Sequence, residues 1–129
     1  TMEPEKLRHK FPKHLRLSNS EDYRGVFDLS DVKVAHPCYL LLAKLNKKEY
    51  SRLGLIVAKK NLPKSVARNR LKRLVRETFR QFPINPSVDV VFLSRRGVID
   101  IGKQDMHSML TKAWKRLSLK CQNLENSLE

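Results

Sequence analysis

The chain has 129 residues, of which 27 are Lys or Arg and 13 are Asp or Glu, giving a formal net charge of +14 and a pI near 10.2. That length fits one domain, enough to bury around two-thirds of the unfolded chain's surface in a single core, and that charge concentrates polyanions around it. No apolar run approaches the roughly 18 residues of a membrane span, and the N-terminus lacks the basic region, apolar core and small-residue cleavage site of a secretion signal, so the sequence reads as a soluble cytoplasmic protein with no membrane partner.

Residues 1–13 are polar and basic, with Pro4 and Pro12, and read as an irregular arm whose one large apolar residue is Phe11. The domain proper is expected over residues 14–119. Ser18, Asn19 and Ser20 offer helix caps, and Glu21 and Asp22 put acids in a first turn, where the helix dipole favours them. A short helix is therefore predicted from about Ser20 to Phe27, with Tyr23, Val26 and Phe27 at the spacing of a core stripe. Asp31 to Lys47 turns apolar and β-branched around Cys38-Tyr39-Leu40-Leu41-Leu42-Ala43 and reads as a strand. Asn46 to Glu49 reads as a hairpin loop leading into a second strand, Arg52 to Ala58, in which Gly54 marks a bulge or a close approach to the backbone.

Pro63 and Ser65 suit the start of a helix, and Pro83 and Pro86 its end. At about 100° per residue, Ala67, Leu71, Leu74, Val75, Thr78, Phe79 and Phe82 fall on one side, and Arg68, Asn69, Lys72, Arg73, Arg76 and Arg80 on the other. Between Lys59 and Arg80 there are nine Lys or Arg and one acid, Glu77. Neighbours four apart therefore repel by a few tenths of a kcal/mol per pair. A helix that needs only solubility mixes both signs; this one forgoes the mixture, and its guanidinium forks suit phosphate oxygens. Nucleic-acid contact through Lys59, Lys60, Lys64, Arg68, Asn69, Arg70, Lys72, Arg73, Arg76 and Arg80 is preferred over a merely solvated face.

Ser87 to Ser94 reads as a further strand and Arg95-Arg96-Gly97 as a basic turn. Met106, Met109, Leu110, Ala113, Trp114 and Leu117 repeat at helical spacing from about Lys103 to Leu119, a stripe that reads as core. Residues 120–129 read as a polar, frayed tail. The order α-β-β-(β)-α-β-α predicts a single α+β domain with three to four strands in an antiparallel or mixed sheet and helices on one face. The other face stays partly open, as a groove for an extended strand, unless the first helix covers its edge.

Cys38 and Cys121 make neither a disulfide framework nor a zinc spacing and read as free thiols. His9, His14, His36 and His107 lack the HExxH pattern and paired cysteines, so no metal site is assigned. A protein nuclease acting alone would need a His pair, a carboxylate cluster or an activated nucleophile, and none can be read. A DNA-binding helix-turn-helix is disfavoured because strands flank the basic helix.

Lys59-Lys60 followed by Ala67-Arg68-Asn69-Arg70-Leu71-Lys72-Arg73-Leu74-Val75-Arg76-Glu77 resembles the signature of the bacterial ribonuclease P protein subunit. Leu15-Arg16-Leu17, Glu21-Asp22-Tyr23, Val26-Phe27, Gly54 to Ala58 and Arg95-Arg96-Gly97 extend the resemblance over about Phe11 to Leu117. It implies a fold like the second domain of a small-subunit ribosomal protein, with the basic helix in a left-handed crossover between parallel strands. It also implies a non-catalytic subunit of an endoribonuclease whose RNA, with Mg²⁺, removes the 5′ leader of precursor tRNA. The implied partners are the catalytic RNA and precursor tRNA, with no other protein subunit. Lys60, Arg68, Asn69, Arg70, Lys72, Arg73 and Arg76 would face the catalytic RNA. A cleft between the first helix and the sheet would hold the leader through Tyr23, Phe27 and Lys60, with Phe11 and Arg95 beside it. Where some members carry a strand tyrosine toward that cleft this chain has Leu42, and Tyr39, three residues away, points to the opposite face. The alternative is a general RNA-binding module, such as a ribosomal protein, with no part in cleavage.

Overall fold

A computed structural model describes residues 15–17, 19–82 and 84–128. The predicted arm with Phe11, the candidate cap Ser18 and the helix-ending Pro83 lie outside them. Helix α1 (Ser20–Leu29) leads to strands β1 (Val32–His36), β2 (Tyr39–Leu45) and β3 (Arg52–Ile56). The basic helix α2 (Ser65–Gln81), strand β4 (Val88–Ser94), a 3-10 turn (Arg96–Asp100) and helix α3 (Lys103–Leu128) complete the chain.

The four strands form one mixed sheet in the order β1-β2-β4-β3, with β4 antiparallel to β2 and parallel to β3. This corrects two expectations. The predicted first strand is two, split at Pro37 and Cys38, where His36 pairs with Tyr39 across a tight turn. The stretch from Asn46 to Glu49 is not a hairpin loop, because β4 lies between the strands it joins. β4 takes the interior because Val88, Val90, Val91 and Phe92 are buried on both of its faces, and such a run needs a neighbour on either side and cover above and below. Shorter β3 stays near the edge, where Leu17 N–H donates to Leu53 O at 3.0 Å and Arg16 bridges Leu53 in parallel.

The helices divide between the two faces, with α1 covering part of the second, the case the sequence left open for the first helix. α2 and α3 cover the larger core, centred on Leu41, Leu71, Val75, Phe92, Leu110, Trp114 and Leu117. Trp114 packs edge-on to Phe79 at 5.4 Å and donates its indole N–H to Thr78 Oγ1 at 2.8 Å. That bond explains a threonine within the apolar stripe of α2: its hydroxyl also donates to Leu74 O at 2.9 Å, so nothing polar is left unpartnered there. The Met and Trp stripe is core, as expected. The last helix does not fray at Lys120 but runs on to Leu128, carrying Cys121 fully buried into the core; burial pushes that thiol up to about 11. Neither cysteine forms a disulfide.

α1 begins where Asn19 caps it, its Oδ1 accepting from Asp22 N–H at 2.8 Å. It lies on the other sheet face, over a smaller core of Leu17, Val26, Leu42 and Val91. One guanidinium ties it down: Arg52 binds Asp89 of β4 at 2.6 Å and reaches Asp22 of α1 at 3.4 Å. Asn46 Nδ2 donates to the same Asp89 at 2.8 Å. Burial works to raise the Asp89 pKa, but the bonds from Arg52 and Asn46 outweigh it and hold it below its ordinary value.

A carboxylate held low stabilises the fold above its unfolded pKa, near 4, and loses that contribution as pH falls through the folded value. Urea unfolding should therefore show stability falling below about pH 4, with a shallower fall in Asp89→Asn over the same range. Arg52→Ala at neutral pH should cost about 3 kcal/mol, as expected when one partner of a largely buried pair is removed.

Candidate nucleic-acid interface

α2 presents the two faces its spacing predicts. Leu71, Val75, Thr78 and Phe79 are buried, Asn69, Arg70 and Arg73 are exposed, and Arg68, Lys72, Arg76 and Arg80 are half-buried at the margins. The helix has no acid in its first turn and no side-chain cap at Lys64, so the positive end of its dipole adds to the charge of the exposed Lys59, Lys60 and Lys64. The predicted cap Ser65 is instead the first helical residue. Arg68 folds back on the entry loop, donating to Leu62 O at 3.0 Å and Pro63 O at 2.6 Å. It holds the loop that carries the lysines as well as contributing charge.

The ten basic-run residues do not form one flat patch. Arg70 and Arg73 border a shallow hollow with Glu77 and Met106 of α3. Lys72 and Arg76 turn the other way, toward Arg16 and Tyr23 at the β3 edge. Arg80 sits at the far end of the helix, in a recess with Leu15, Tyr50 and Ile84. Arg76 holds its proton less tightly than a free arginine, first through burial and then through the nearby positive charge of Arg16.

Beside α1 the sheet leaves open a groove of the expected kind, with floor residues that sequence reasoning did not name. Pairing lines up Ala35 with Leu40, Leu40 with Leu93, and Leu93 with Ile56, one row across all four strands. Alternation puts this row on the α1 side. The next row holds Leu42, Val91 and Gly54, buried beneath α1, whereas Ala35 and Ile56 are exposed and Leu40 and Leu93 half-buried. The alternating apolar residues were visible in the sequence; which of them align was not, because alignment follows strand order. Lys60 and Arg95 lie near the C-terminal end of β4, just past Leu93, since Asn61, next to Lys60, donates to Ser94 O at 2.8 Å and Arg95 N–H donates to Cys38 O at 2.9 Å.

The predicted aromatics differ in setting. Phe27 is 41% exposed. Tyr23 lies against Gly54, where an added Cβ would come within 2.7 Å of its ring, and its hydroxyl accepts from Leu55 N–H at 3.1 Å. Gly54 is thus a close approach rather than a bulge. Tyr39 is only 2% exposed and stacks in the larger core between His36 at 4.7 Å and Phe92 at 5.9 Å, while Leu42 faces α1, as alternation requires. Phe11 is outside the described residues. Among those residues no group of three His, Cys, Asp or Glu is placed to hold a metal ion, and no helix is long and apolar enough to cross a membrane.

The family model described as Ribonuclease P matches residues 11–118. A protein of Marinomonas sp. (strain MWYL1) named ribonuclease P protein component is 46% identical over 111 residues, covering 85% of this chain and 84% of the relative. Its namesake in Marinobacter nauticus is 43% identical over 110 residues, covering 85% and 83%. The solved RNase P protein of Thermotoga maritima superposes with a TM-score of 0.66 at 29% identity, covering 78% of this chain and 96% of that one. That of Staphylococcus aureus, at 22% identity and a TM-score of 0.66 over 85% of this chain and 96% of its own, shares the fold.

Gly54→Ala should destabilise the protein by about 1–3 kcal/mol, the range for forcing an extra carbon into a packed site. The same substitution in a Tyr23→Ala background should cost much less, and a double-mutant cycle in urea measures the difference.

Proposed function

The chain belongs to the ribonuclease P protein family, and on that premise we propose that it is the protein component of the ribonucleoprotein that removes the 5′ leader from precursor tRNA. In this reading Lys59, Lys60, Lys64, Arg68, Asn69, Arg70, Lys72, Arg73, Arg76 and Arg80 grip the catalytic RNA. The groove beside α1, with Tyr23, Phe27, Lys60 and Arg95 around it, holds the single-stranded leader. The observation that supports this best is the adjacency of the two surfaces: a cationic helix and an open apolar sheet row with an exposed aromatic on the neighbouring helix. Charge follows a phosphate backbone of any sequence, and stacking on aromatic rings accepts any base at about 1–3 kcal/mol each. Both suit a protein that must take many different leaders.

The RNA performs the cleavage and the protein binds. The side chains offered to nucleic acid here are ammonium, guanidinium, amide and aromatic groups, which hold phosphates and bases. Magnesium is a hard cation that seeks oxygen ligands, and a helix carrying six cations, with three more in the segment leading into it, repels it. Mg²⁺ therefore sits on phosphate oxygens of the RNA and the substrate, not on this chain. The working partners are the catalytic RNA and precursor tRNA, met in the cytoplasm. A general RNA-binding module would use α2 and leave the groove without a task.

Adding the chain to its cognate RNA at low Mg²⁺ should restore leader cleavage; an RNA indifferent to the protein under those conditions would end the proposal. Affinity for precursor tRNA should exceed that for mature tRNA in the presence of the catalytic RNA. Phe27→Ala should shrink that gap by about tenfold, the loss of one stacked base, with affinity for mature tRNA little changed.

A further inference from the structure

Three polar side chains are buried among the described residues: Thr78, Asp89 and Ser94. Trp114 and Arg52 account for the first two. Ser94 continues the series Val88, Val90 and Phe92 along one face of β4, where a fourth apolar residue would simply extend the larger core. Its hydroxyl is directed instead to one short loop. The β3–β4 ladder ends with Ile56 paired to Leu93. Just past that step, Ser94 Oγ accepts from Ala58 N–H at 3.3 Å, and Ser94 O accepts from the Asn61 side-chain amide at 2.8 Å.

Those two bonds hold the two ends of one turn. Asn61 N–H and Leu62 N–H both donate to Ala58 O at 3.1 Å, so Lys59 and Lys60 occupy the central positions of the turn, and both are exposed. Beyond it Leu62 is buried in the larger core, and Arg68 bonds the Leu62 and Pro63 carbonyls. The lysine pair therefore stands between two anchors, and neither bond to Ser94 uses an ammonium group. A lysine carries its charge on a flexible four-carbon stem. Fixing the backbone beneath the stem removes, in advance, freedom that a bound RNA would otherwise have to remove.

We propose that Ser94 and Asn61 are positioning residues of the interface: by clamping both ends of the 58–61 turn, they present Lys59 and Lys60 to RNA in a set direction before it binds. This rests on the reading above that the two lysines contact the catalytic RNA. Ser94 and Asn61 act through the backbone of the turn, and neither contributes charge.

The test measures affinity of the full-length chain for the catalytic RNA over a range of salt, beside amide hydrogen exchange in the free protein. Ser94→Ala and Asn61→Ala remove no charge. Each should quicken exchange at the backbone N–H groups of residues 61 and 62. Each should also weaken RNA binding by about tenfold, the cost of ordering a freed turn on binding. The log-log slope against salt should stay the same, because the same phosphates are met. Lys60→Gln should weaken binding and lower that slope by about one. Ser94→Thr, which keeps the hydroxyl, should restore the affinity lost in Ser94→Ala. Circular dichroism checks that each variant folds, and Asn61→Ala, changed at the half-buried partner, keeps the test decisive if Ser94→Ala does not. Faster exchange with unchanged RNA affinity would reduce the two bonds to stabilising contacts and overturn the positioning role. A slope lowered in Ser94→Ala as far as in Lys60→Gln would mean a lost contact rather than lost order, and would overturn it too. Lysine variants that weaken binding beside silent Ser94→Ala and Asn61→Ala sink the clamp alone. An RNA indifferent to both Lys59→Gln and Lys60→Gln sinks the assignment of these lysines to RNA, and the clamp's role with it.

Discussion

A single guanidinium holds the working parts of this molecule in relation to one another. Arg52 sits at the start of β3 and is shared by Asp89 on the central strand and Asp22 on α1, so the sheet and the helix laid on its open face are joined by one fork. Tyr23 makes the second attachment, resting on Gly54 with its hydroxyl on the backbone of β3. Between them these contacts decide where α1 stops covering the sheet. The row Leu42, Val91 and Gly54 lies under the helix, and the row Ala35, Leu40, Leu93 and Ile56 lies beside it. A helix seated one strand-row further along would close the groove and pull Tyr23 away from Lys72 and Arg76.

The basic helix illustrates how a local conflict is carried by tertiary structure. Its outer face places like charges four residues apart, which opposes helix formation, and its first turn lacks both an acid and a side-chain cap. What holds it is the inner stripe. Leu71 and Val75 are fully buried, and Phe79 and Thr78 engage Trp114 of α3, so the helix draws its stability from packing rather than from its own surface. Arg68 adds a local tie by bonding the carbonyls of the entry loop. The repulsion remains in the native state, and it is the feature that makes a polyphosphate partner favourable.

The residues that mark the family are also the residues that carry the charge. The run from Ala67 to Glu77 that carries the family resemblance is also the densest concentration of charge, and Tyr23, seated on Gly54, lies next to Lys72 and Arg76 of that helix. The departure noted at Leu42 has a structural counterpart. That position is packed beneath α1, and Tyr39 is committed to the opposite core, so in this chain the aromatic surface on that side comes from α1 rather than from β2.

Sequence alone determined the α+β class, the two faces of α2, the strand ends near Arg52 and Ser94, the core role of the Trp114 stripe and the family, because each of these is written in local periodicity, charge or motif. It misread the Asn46 to Glu49 loop as a hairpin, left open whether α1 covers the second face and ended α3 early at Leu119. Periodicity reports that a face is buried but not what buries it. Strand order, the side chosen by α1, the alignment of Ala35 with Leu40, Leu93 and Ile56, and the meeting of Arg16 with Lys72 and Arg76 were decided only in the tertiary structure. Each joins residues distant in the chain, and the partner is selected by competition among buried surfaces, with β4 taking the centre of the sheet because its apolar faces leave it no exposed alternative.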